Sequence, residues 1–142
     1  MKKFAFVLVQ LKTLALEKIE RKLESKRLEW QQNEREILDK QAQLSAFKNP
    51  GLGGMSLFLQ TQQLKSALRM EIEYYQQEGE NLIKDLKILE KEYLLANQEL
   101  EKAKIILENE KRKEKEILEK KEQALLDENA MILHWQKESL HA

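Results

Sequence analysis

From Leu82 to Leu107 an apolar residue returns at alternating steps of four and three: Leu82, Leu86, Leu89, Tyr93, Ala96, Leu100, Ala103 and Leu107. That spacing sets all of them on one seam of an α-helix, and such a seam leaves water by packing against another helix. The fold must therefore supply at least one helical partner.

Composition agrees. Charged residues make up 35% of the 142 residues and aromatics 6%, with four glycines, one proline and no cysteine. This is the make-up of long helices and coiled coils rather than of a core with sheets. With 25 basic and 25 acidic side chains the net charge is zero, which argues against a nucleic-acid footprint. The triplet Lys111, Arg112, Lys113 is flanked by Glu108, Glu110, Glu114 and Glu116, so it reads as part of a solvated helix of mixed charge. Disulfide stapling is excluded, which fits a reducing compartment. The apolar opening Phe4–Val9 is interrupted by Gln10 and Lys12 and has no small-residue cleavage site, so it reads as the start of a helix rather than as an export signal. No uncharged stretch approaches the roughly 20 residues that span a bilayer. The expectation is a cytoplasmic protein without direct membrane insertion.

The one strong interruption is Asn49-Pro50-Gly51-Leu52-Gly53-Gly54. Proline lacks a backbone donor and disfavours helix at the residue before it, and glycine tolerates positive φ. The sequence thus predicts a helix over about Lys3–Phe47, a turn over 48–55, and a second helix over about Ser56–Glu138 with Ser56 as its N-cap. Gly79 is a weak point where the second helix could kink. In the first helix Val9, Leu16, Leu23, Trp30, Ile37 and Leu44 form a seven-residue ladder, widened near its start by Phe4, Val7, Leu8, Leu11 and Leu14. The companion row is mixed: Ile19 and Phe47 are apolar, whereas Lys12, Lys26, Asn33 and Lys40 are polar positions that specify register at a cost in stability. The fold class is all-α: two long helices in an antiparallel coiled-coil hairpin, one domain over residues 1–142, with the second helix longer and overhanging.

Folding back at Pro50–Gly54 brings together residues whose numbers sum to roughly 103, with Leu16 at the level of Ile88. The second helix then has no partner in its own chain beyond Leu100. Opposite charges at helical spacing, Glu101 with Lys104, Glu110 with Lys113 and Glu116 with Lys120, support that overhang. Near its end Met131, Ile132, Leu133 and Trp135 form an apolar knot, read either as a local fold-back or as a docking surface. Leu52, Met55, Leu57, Phe58 and Leu59 surround the turn and either cover the end of the coil or offer a binding patch.

No catalytic, cofactor or metal site is expected. His134 and His141 without cysteine are too few ligands for zinc, and the glycine-rich turn lacks the Lys and Ser/Thr of a phosphate loop.

The opening Phe4-x-Phe6-x-Leu8-x-x-Leu11, a charged first helix with Trp30, a short linker, Phe58-Leu59-Gln60-Thr61 and a Leu/Lys/Glu-rich second helix resemble the FliJ family. FliJ is the small coiled-coil component of the bacterial flagellar type III export apparatus. The resemblance implies a non-catalytic stalk, monomeric on its own. Its terminal end sits in the export ATPase hexamer, which it couples to the export gate membrane protein, and it also handles export chaperones. It implies a place at the inner-membrane face of the flagellar base. It also implies gate contact at Phe58, with Leu64 as a second contact; Leu59 at the turn and Met131 and Trp135 in the apolar knot are further binding candidates read from the residues themselves. The alternative is a structural or homodimerising coiled coil unrelated to export.

Overall fold

The computed structural model describes residues 2–47 and 54–141, excluding the side chain of His141. Helix α1 spans Lys2–Ala46 and helix α2 spans Met55–His141, packed against each other as a helical hairpin with no strand among the described residues. Both helices are slightly longer at their outer ends than expected. The turn itself (residues 48–53, Leu52 included) lies outside the described residues.

The ends beside the turn are built from backbone groups. Phe47, expected within the helix, instead donates its N–H to the Leu44 carbonyl at 3.3 Å and closes α1 with a tighter last turn. At the start of α2 the Gly54 carbonyl accepts from the N–H of Leu57 (3.1 Å) and of Phe58 (3.4 Å). Gly54 is therefore the N-cap, and Ser56 already lies inside the helix. α2 then runs through Gly79 without interruption.

The chain divides into two compact units, residues 15–96 and residues 1–14 with 97–142. In the first, Leu16, Leu23, Trp30, Ile37 and Leu44 turn inward, and so does the mixed row Ile19, Lys26, Asn33, Lys40. From α2 the inward row includes Leu68, Ile72, Tyr75, Gly79, Leu82 and Leu89. The heptad repeat thus selects the buried face on both helices, polar positions included.

Those polar positions fix which residues meet. Lys26 pairs with Asp85 at 3.8 Å and Lys40 with Glu71 at 3.1 Å, two pairs whose numbers both total 111. The expected total near 103 is therefore wrong by about two turns, and Leu16 lies at the level of Leu95 rather than Ile88. The hydrogen bond to the Glu71 carboxylate, and then its charge, holds the Lys40 ammonium above its usual pKa. A raised lysine pKa means the pair's contribution is complete at neutral pH and is lost only as pH rises beyond 10.5.

Between these pairs Asn33 is buried and donates its Nδ2 hydrogen to the Tyr75 carbonyl at 2.8 Å. A Cβ on Gly79 would stand 3.0 Å from that nitrogen. Gly79 is thus a socket for the Asn33 amide rather than a kink. One turn earlier, the Trp30 indole N–H is buried without an acceptor. Replacing a helical Gly by Ala ordinarily gains about 1 kcal/mol. Here that gain should be cancelled or reversed, because the amide must move off its carbonyl. In an Asn33→Ala background Gly79→Ala should recover the full gain. A double-mutant cycle by chemical denaturation reads the difference, and equal gains in the two backgrounds would rule out the socket.

In the second unit Ala5 packs inward from α1, and Leu100 and Ala103 from α2. Lys12 pairs with Glu99 at 3.7 Å and Lys2 with Glu114 at 3.3 Å. The start of α1 therefore reaches Glu114, and the unpartnered arm of α2 begins there rather than at Leu100. Residues 115–140 are all exposed, an arm of about 39 Å.

Candidate partner-binding surfaces

The first surface is the start of α2, in the unit of residues 15–96. With paired residues totalling 111, Ala46 stands level with Lys65, so Met55 to Leu64 extend past the described end of α1. Phe58 is 41% exposed, and Met55, Leu57, Leu59 and Leu64 are more exposed still. At 100° per residue Phe58 lies on the inward row, Leu64 joins Leu57 on one flank and Leu59 lies on the other. The three expected contact residues therefore share a stretch of helix but not a face. Thr61 is buried among them, its hydroxyl donating to the Leu57 carbonyl at 2.9 Å.

Phe58→Ala should cost far less stability than the loss of about 3–5 kcal/mol that truncating a buried Phe brings. Thermal melting tests this. A large loss of stability would place Phe58 in the hairpin core.

The second surface is the arm. Met131 and Trp135 stand one turn apart on a face shared with Ile132, Glu128, Gln136 and Ser139, which the structure brings together as an open apolar strip. Met131, Ile132, Leu133 and Trp135 are all exposed on continuous helix, so the knot is no local fold-back. The arm is held by pairs along its own axis: Lys104–Glu101, Lys113–Glu110, and Lys115–Glu119 in place of the expected Glu116–Lys120. His134 Nε2 lies 3.1 Å from Glu138, and both side chains are open to solvent.

One surface was misread in the sequence. Phe4, Val7, Leu11 and Leu14, expected to widen the seam, point away from it and are exposed, whereas Ala5, Leu8 and Val9 face α2. The signal was available: residues 4, 7, 11 and 14 form a heptad row of their own on nearly the opposite side of the helix from the 5, 9, 12 and 16 row. Among the described residues no cluster of three His, Cys, Asp or Glu could hold a metal ion, and no helix is long and apolar enough to cross a membrane.

Neither curated proteins nor solved structures yield a match to this chain. The family model described as flagellar FliJ protein matches residues 1–139, both helices and all the surfaces above. The chain belongs to the FliJ family of flagellar export-associated coiled-coil proteins.

Proposed function

We propose that this protein is a non-catalytic stalk of the flagellar export apparatus. In this reading the end that carries the start of α1 enters the ring of the export ATPase. The end around Phe58, Leu59 and Leu64 contacts the export gate membrane protein, and export chaperones dock on the exposed helices. The protein works at the cytoplasmic face of the inner membrane at the flagellar base. Family membership over residues 1–139 carries the reading. The geometry supports it: an arm of α2 with no partner among the described residues, mixed in charge and punctuated by apolar residues, can be read by a surrounding ring through complementary charge without tight burial.

The test uses the full chain with its cognate export ATPase. Turnover and ring formation should both rise with added stalk, measured by phosphate release and by sedimentation velocity. If both stay flat, the mechanism fails.

One observation favours a second reading. Leu118, Leu125 and Ile132 recur at seven-residue spacing on the arm and are exposed, a pattern that a homodimerising coiled coil would bury. Sedimentation equilibrium at micromolar concentration separates the two, because the stalk reading expects a monomer.

A further inference from the structure

The beginning of α1 is apolar on two faces, and α2 covers only one. A helix that is hydrophobic all round is normally covered all round. Yet Phe4 is 68% exposed, Val7 47%, Leu11 58% and Leu14 59%. These four follow the i, i+3, i+7, i+10 spacing of a coiled-coil row. Beside them runs a groove lined by Lys2, Lys3, Phe6, Val7, Leu107 and Lys111, with three apolar side chains, three lysines and no carboxylate. Lys2 is engaged with Glu114, whereas Lys3 and Lys111 form no ion pair among the described residues. The surrounding sequence is also basic: residues 2–22 hold Lys2, Lys3, Lys12, Lys18, Arg21 and Lys22 against Glu17 and Glu20.

We propose that this outward strip is a docking site for a third helix, an amphipathic helix of another protein whose apolar row is flanked by Asp or Glu. The row of Phe4, Val7, Leu11 and Leu14 fits one helix laid along α1. The lysines of the groove select its charge, since carboxylates beside the apolar row would meet Lys3 and Lys111. The same basic, apolar character would suit an anionic bilayer, and exposed Phe6 widens the strip towards the groove, but the regular i, i+3, i+7, i+10 row is the pattern of a helix–helix seam. A second copy of the strip would bring lysine against lysine. The inference goes beyond the stalk reading, because it fixes the chemistry of what covers this face whichever component provides it.

Photocrosslinking in cells tests the site, with p-benzoylphenylalanine replacing Leu11 in the otherwise intact chain and the adduct mapped by mass spectrometry. The expected adduct lies in another protein, on a helical segment whose apolar heptad row is bordered by acidic residues. Placing the crosslinker at Phe4 instead, Leu11→Glu should cut the yield at least tenfold with the melting temperature unchanged. K3E with K111E should cut it at least fivefold. An adduct with lipid, with a second copy, or with a segment lacking flanking acids overturns the inference, as does no adduct at all. So does a yield indifferent to the two lysines, or a collapse of melting in the Leu11→Glu chain. An adduct in the export ATPase on a segment without those acids would refute the inference and leave the stalk reading intact.

Discussion

Leu23→Asp should lower the melting temperature by roughly 15 °C or more, followed by far-ultraviolet ellipticity. Leu23 is 5% exposed, on the inward row of α1. Truncating a buried leucine costs about 2–5 kcal/mol through lost transfer energy and the cavity left behind. Aspartate adds a carboxylate that must either stay charged in an apolar seam or take up a proton. Together these approach the whole stability of a typical domain, about 5–15 kcal/mol. A packing only two helices thick has no second layer to absorb the loss. Leu28→Asp is the matched control: Leu28 lies five residues further on, is 60% exposed, and should change stability by no more than about 0.5 kcal/mol. Equal effects at the two positions would mean that the inward face of α1 is misassigned.

The contrast between Leu23 and Leu28 could be read from the sequence, because burial in a two-helix packing is a one-dimensional periodic pattern. The 9, 16, 23, 30, 37, 44 ladder and its polar companion row both emerged as the buried face. Register did not, and the reason is physical. A slide of about one heptad brings the same apolar rows face to face, so Leu and Ile positions score totals near 103 and near 111 almost alike. Only the polar seam residues break the degeneracy. Lys26 and Lys40 are separated by two heptads, as are their partners Asp85 and Glu71. The midpoint of the turn carries no such information. Gly79 was misleading for a related reason: its composition suggests a weak helix, and its role becomes visible only once Asn33 is placed against it. The outward strip of α1 was hidden because apolar residues near a seam were all assigned to it. Of the candidate contacts, Phe58, Leu59, Leu64, Met131 and Trp135 are exposed, and both their binding role and the partner each meets are carried by the proposal alone.

Truncation after Glu116 should separate stability from function completely. Residues from Ile117 onward touch nothing on α1, whose first described residue, Lys2, reaches only as far as Glu114. The pairs that support the arm lie along it, each worth a few tenths of a kcal/mol to the helix that contains it and nothing to the packing of α1 on α2. The melting temperature should therefore stay where it is, while the ellipticity falls in proportion to the helix removed. On the proposed stalk reading, stimulation of the export ATPase and swarming should be lost, because the truncation deletes the apolar positions Ile117, Leu118, Leu125, Ile132 and Trp135 that a surrounding partner would grip. The arm is also pre-paid in entropy: propagated from a packed helix, it avoids the nucleation cost that makes a free helix of its length marginal in water. A partner can then close on it without first ordering it. For that reason Leu125→Pro, which breaks the helix and keeps most of its side chains, should impair stimulation nearly as much as the truncation. Full activity of the Pro variant would show that the partner reads the arm's side chains without needing its helix.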